Sequence, residues 1–259
     1  MPQTNYRLLS IGDQLKIGVA GSRHLTIAAV GKQNMPGEPY CIPNEMICGA
    51  LGRFLCLPVP PSGVMSKEDG ESWFASLNFN LTGNDLPPVT PAECVSKLPS
   101  LSAGILLFDI WIANPDRHTK NLALDSFAKP PLMSVFDHGH ALFGYAKDKG
   151  KERLAARESK NSLGISWKHE DPIESGKNRH CLLDVVNSDE HFNHWMERIE
   201  LTPDFYIEEV CRDALPYGLN IDECAAAIDF LKKRRATIRN LVDTNKSEFT
   251  AITKWSPPS

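Results

Sequence analysis

The chain has 259 residues, 42% hydrophobic and 23% charged, with a formal net charge of −4. A chain of this length buries about 70–75% of its unfolded surface and needs no disulfide or metal to hold a core; its composition excludes disordered, collagen-like and disulfide-scaffold classes. There is no basic excess for direct nucleic-acid binding, and the longest apolar run, residues 103–113, is interrupted by Asp109 and falls short of the ~20 residues that span a membrane.

The N-terminus carries no apolar stretch of the secretory kind. The seven cysteines form no CxxC pair and match no zinc spacing. The expectation is a set of reduced, mostly buried thiols in a cytoplasmic protein.

Taken in order, residues 25–30 (LTIAAV) predict a strand ending at Gly31-Lys32, followed by a Pro/Gly-rich loop. Ile47, Ala50, Leu51, Phe54 and Leu55 then fall on one face of a helix, with Asn44 as its expected N-cap and the prolines after Leu57 as its stop. Residues 63–66 and 73–79 predict two strands joined by a charged turn. Residues 82–92 (TGNDLPPVTPA) mark the best internal boundary, dividing the chain into 1–82 and 83–259. Beyond it, residues 101–113 are apolar all round and predict a buried helix. Two short strands are expected at 122–124 and 132–136. Residues 146–180 are polar and lysine-rich, and read as a long loop whose serines make it either a regulatory segment or a surface insertion. Three helices follow, over 190–199, 203–214 and 221–242; Lys232-Lys233-Arg234-Arg235 in the last reads foremost as a solvated face, with a nucleic-acid or partner patch as the alternative.

The chemistry concentrates in Asp116-Arg117-His118-x2-Asn121, followed sixteen residues later by Asp137-His138-Gly139. Asp116 lies just after the buried helix, Asn121 at the start of one short strand and Asp137 at the end of the next. That order converges two carboxylates and an amide on one cleft. A carboxylate and an amide oxygen are hard ligands suited to Mg²⁺ with nucleotide phosphates, and a further carboxylate held off the metal can orient or deprotonate a hydroxyl. Singly, each residue also suits a turn or a helix cap. The layout is that of a kinase catalytic loop followed by a metal-binding Asp. Arg117 reads as a loop anchor to carbonyls or a carboxylate, and Asp109 as a locally paired or supporting group. His138 and His140 flank Gly139 without the cysteines a zinc site would add.

On these residues the sequence resembles the HipA-like kinases and, more distantly, the phosphatidylinositol kinases. The resemblance implies an α+β, bilobal protein-kinase-like fold, with a small β-rich N-lobe (1–82) and a mainly helical C-lobe (83–259). It implies ATP- and Mg-dependent transfer of a γ-phosphate to a hydroxyl, foremost Ser/Thr of a protein, with Asp116 catalytic and Asn121 and Asp137 holding the metal. Lys32 would reach the phosphates and Glu45 would pair with it, although Lys32 alone suits a surface lysine and Glu45 alone a first-turn acid. Residues 73–79 would border the adenine, through Leu77 and Asn78. His118 would contact the γ-phosphate, brace Asp137 or stabilise the loop. Gly21 and Ser22, in residues 18–22 (GVAGS), are the candidate phosphate loop. The alternatives are a phosphatidylinositol or small-molecule kinase and a catalytically weak nucleotide-binding module. The family also includes toxins that phosphorylate aminoacyl-tRNA synthetases, which implies a protein substrate and a separately encoded antitoxin partner.

Overall fold

The structure, a computed structural model, describes residues 5–15, 21–81, 87–144, 149–166 and 179–256. Its first part is built from short antiparallel strands. β1 (Leu8–Gln14) pairs with β2 (Arg23–Ile27), and β3 (Ala29–Lys32), β4 (Ser62–Ser66) and β5 (Ser72–Leu77) form a second sheet in the order β3-β5-β4. The single strand expected over 25–30 is therefore two. The break is at Ala28, whose N–H donates to Arg7 at 2.9 Å and whose carbonyl accepts from Asn78 at 2.9 Å, so the chain passes there from one sheet to the other. β1 was not expected from the sequence. Its Leu8, Leu9 and Ile11 are exposed rather than packed on a core, which leaves no clean alternation to read.

Helix α1 (Cys41–Phe54) begins three residues before the expected Asn44 cap. Asn44 is instead fully buried inside the first turn, where its amide donates to the Gly139 carbonyl at 2.7 Å and its oxygen accepts from the Phe143 N–H at 3.4 Å. After the boundary region come α2 (Pro91–Lys97), α3 (Pro99–Trp111), the hairpin β6 (Leu122–Asp125) and β7 (Leu132–Val135), α4 (Gly150–Ser159), α5 (Phe192–Glu200), α6 (Asp204–Asp213) and α7 (Ile221–Thr244). α4 corrects the reading of 146–180 as loop: Leu154 and Arg157, three apart, turn one face inward while the lysines and glutamates coat the other. Residues 167–178, with the remainder of that segment's serines, and residues 82–86, where the division of the chain was expected, lie outside the described residues.

One apolar core runs through α1, α3, the β6–β7 hairpin and α5 to α7. α3 is its axis, with every residue from Ser102 to Trp111 buried. α5 approaches α3 at Gly104, where an added Cβ would stand 2.3 Å from the Trp195 ring. The expected solvated face at 232–235 is only partly so. Arg234 is buried, with its guanidinium donating to the carbonyls of Ile110 (2.5 Å), Trp111 (3.2 Å) and Leu163 (2.9 Å), which ties α7 to the end of α3.

α1 is fastened to the C-terminal helices along its length. Asn34, in the loop before it, donates to Tyr217 at 2.7 Å and accepts from Ile42 at 2.8 Å. The Tyr40 hydroxyl donates to Glu223, which also completes the capping box of α7 with Asn220. Tyr206 donates to the Ala50 carbonyl at 3.2 Å and stacks on Phe54, and Arg198 donates to the Leu55 carbonyl at 2.5 Å.

Candidate active site

A cleft of about 900 Å³ opens between the β3-β5-β4 sheet, α1 and the end of the β6–β7 hairpin. One end is apolar, with Val30, Val59, Leu77 and the facing rings of Phe79 and Phe136, whose centroids are 5.5 Å apart. The other end carries Lys32, Glu45, Lys120 and Asp137. An apolar slot running into a set of charges is the shape that takes an amphiphilic small molecule.

Lys32, the last residue of β3, ends in a double ion pair: its ammonium is 2.5 Å from Glu45 Oε1 and 2.6 Å from Asp137 Oδ1. Burial works against the lysine's charge, but Glu45 and Asp137 outweigh it and raise its pKa. Glu45 does not sit on a solvent face as a simple first-turn acid. It is buried, and its Oε1 also accepts the His138 backbone N–H at 3.1 Å. Burial alone would push this carboxyl up; His138 and Lys32 more than reverse that and lower its pKa to about 2. α1 turns its Ile47–Leu51 stripe to the core and Glu45, on its other side, to the cleft.

Behind the cleft, a buried charge system shapes the loop that follows α3. Arg117 grips Asp109 of α3 with two parallel hydrogen bonds of 2.8 and 3.1 Å. Its remaining nitrogen donates to the carbonyls of Asn121, at 3.0 Å, and Phe136. His180 donates from Nε2 to Asp109 at 3.0 Å, and its Nδ1 accepts from Leu182. Burial lowers the pKa of His180, whereas Arg117 and His180 together overcome burial and depress that of Asp109. One guanidinium thus joins the helix, the loop and the strand that delivers Asp137.

The loop brings the three expected positions together. Asn121 donates to the Asp116 carbonyl at 2.8 Å, and the Phe136 N–H donates to the Asn121 carbonyl at 3.3 Å, so Asn121 lies across the hairpin from Phe136-Asp137. Asp137 has φ +63°, a left-handed backbone that costs a non-glycine residue about 1–2 kcal/mol. The sharp turn is made at Asp137 itself. Asp116 accepts from His140 Nδ1 at 2.9 Å. The sequence had offered His140 only as part of a rejected zinc pattern, and no spacing rule links it to Asp116. His118 makes the loop-stabilising contact, with Nδ1 accepting from the Lys120 N–H at 3.1 Å, and does not brace Asp137.

The donor set suits Mg²⁺. Among the described residues there is no group of three His, Cys, Asp or Glu side chains that would hold a metal alone. Asn121 commits its NH₂ to Asp116 and so presents its oxygen, and Asp137 adds a carboxylate that is 36% exposed. One amide and one carboxylate leave most of an octahedron to phosphate and water, the usual condition of a nucleotide-bound Mg²⁺.

Other expected contacts are placed differently. Leu77 and Asn78 wall the cleft, but their backbone N–H groups already donate to Pro61 and Ala28. Gly21 and Ser22 do not line the cleft. They sit at the loop end of the β1–β2 hairpin, where the Leu15 N–H donates to the Ser22 carbonyl at 2.8 Å and Gly21 takes φ +65°. Residues 18–20 of the candidate phosphate loop lie outside the described residues. All seven cysteines are free, and no described helix is long and apolar enough to cross a membrane.

No family model and no curated protein matches the chain. Among solved structures, it is similar to the crystal structure of a Helicobacter pylori proinflammatory kinase, CtkA, with a TM-score of 0.58 and 15% sequence identity over 94% of this chain and 98% of that one. The likeness is one of fold: a small β-sheet region joined to a mainly helical part, in a kinase-like arrangement.

Proposed function

We propose that the chain is an ATP- and Mg-dependent phosphotransferase of the HipA-like kind, divided near residue 82, that moves a γ-phosphoryl group to the hydroxyl of a protein Ser or Thr. The observation that supports this most is the ion-paired Lys32, held by Glu45 and Asp137 at the charged end of the 900 Å³ cleft. Lys32 would meet phosphate oxygens. Asn121 and Asp137 would hold Mg²⁺, which when bound neutralises charge on the transferring group. Asp116, only 14% exposed, would accept the proton of the acceptor hydroxyl or orient it. Arg117 keeps these groups in register from behind, so catalysis rests on positioning and charge rather than on a covalent enzyme intermediate.

Labelled ATP tests the reading. The parent chain is expected to transfer phosphate to itself or to a protein acceptor, and Asp116→Ala to abolish transfer while keeping the thermal shift with Mg·ATP. Equal labelling by Asp116→Ala would refute the role of Asp116. A second reading, a nucleotide-binding module without turnover, draws on Gly21 and Ser22 standing away from the cleft walls. A Mg·ATP thermal shift with no transfer by the parent chain would favour it.

A further inference from the structure

Asp116 is held in two different ways. Its backbone belongs to the loop: its N–H donates to Asn114 Oδ1 at 3.2 Å, and its carbonyl accepts from the His118 N–H at 2.9 Å and from Asn121 at 2.8 Å. Its side chain is held from elsewhere, by His140, three residues past Asp137 on the chain that leaves the turn. The ring of His140 spans two carboxylates, with Nδ1 2.9 Å from Asp116 Oδ2 and Nε2 3.8 Å from Glu38 Oε2 in the loop before α1.

We infer that His140 is the positioning residue for Asp116: its Nδ1–H fixes the rotation of the Asp116 carboxylate and ties it to the segment that carries Asp137. This deepens the phosphotransferase reading and rests on it. The aim of that carboxylate matters, because a misplacement of about 1 Å at a reacting group lowers rate by roughly a hundredfold. The segment bearing His140 is itself rigid. Gly139 is bonded to Asn44 of α1, and the Leu142 N–H donates to the Ile112 carbonyl at 3.1 Å. The charges around the ring agree with the donor role: burial lowers the pKa of His140, but the hydrogen bond and charge of Asp116, then Asp137 and Glu38, raise it overall.

The test compares His140→Ala with His140→Asn, whose amide nitrogen takes the place of Nδ1. His140→Ala is expected to lower kcat 10- to 100-fold with the KM for ATP within about twofold of the parent, and His140→Asn to restore most of the loss. An Ala variant with the parent's kcat overturns the inference. So does a joint change in kcat and KM that Asn does not rescue, which is the mark of a merely structural residue. A second measurement does not need turnover: the His140 imidazole, followed by NMR, should titrate at lower pH in Asp116→Asn than in the parent. An unchanged titration overturns the tie. A parent chain that transfers no phosphate but shows this NMR coupling would fail the kinase reading alone.

Discussion

Two charge systems of similar make-up sit back to back, and their surroundings give them opposite characters. Asp109, Arg117 and His180 are sealed in the core, each charge or ring nitrogen spoken for by another protein group. Lys32, Glu45 and Asp137 face the cleft, with Lys32 27% and Asp137 36% exposed at the side chain. The first cannot trade partners without leaving an ion in a low-dielectric interior, where breaking one side of a pair is far costlier than at the surface. The second is open to water on the side of Lys32 and Asp137, where losing a partner costs far less. One system is scaffold, an acid between two bases, and the other is a socket, a cation between two acids.

The largest expected effect comes from attacking the scaffold. Arg117→Ala should destabilise the chain by about 3–5 kcal/mol in urea unfolding, because it strands Asp109. A loss below about 1 kcal/mol would show that water reaches Asp109 and that the contrast is false. In the socket, Lys32→Met should cost a smaller amount, about 1–3 kcal/mol, since both acids lose this partner but Asp137 is open to water and only Glu45 is buried; calorimetry with Mg·ATP should show a much larger loss, that of binding itself.

The four-residue basic run allows the same comparison inside one helix. Arg234→Ala removes the guanidinium donor from the buried carbonyls of Ile110, Trp111 and Leu163 and should cost about 1–3 kcal/mol. Lys233, exposed and paired with Glu158, should cost less than about 0.5 kcal/mol on the same truncation. Equal losses would mean that neighbouring cations are not sorted by burial.

Acid sharpens the socket further. The carboxyl of Glu45 titrates at about 2 in the folded chain against an ordinary 4.5, so the folded state binds its proton less tightly than the unfolded state. Its stabilising share is therefore fully present above pH 4.5 and is lost as pH falls towards 2. The stability gap between the parent and Glu45→Gln, measured by thermal melting, should narrow over that window. A gap that stays constant from pH 5 to pH 2.5 would contradict the lowered value.

Much of this was legible in the residues. The spacing of Asp116, Asn121 and Asp137 located the loop and hairpin because both are local: each strand is four residues and the chain between them is short. α3 was legible because it is apolar on all sides. The start of α1 was not, since Pro43 and Asn44 both imitate a helix entrance and only the tertiary partners Gly139 and Phe143 explain a buried Asn. α4 was hidden by its lysines, with only Leu154 and Arg157 recording a face. Arg234 was hidden among cations of identical charge, because sequence gives charge and not depth. His140 escaped for the same kind of reason: its partner is 24 positions away and no local periodicity relates them.

The fastening of α1 has a consequence for how the Lys32 anchor comes into being. A rod pinned at its head by Asn34 and Tyr40, at its middle by Tyr206 and at its tail by Arg198 has no free arc through which to swing. Withdrawing Glu45 would require those moorings to be released together with a share of the core. The acid that steadies Lys32 is accordingly set when the chain folds, and stands in place before anything enters the cleft.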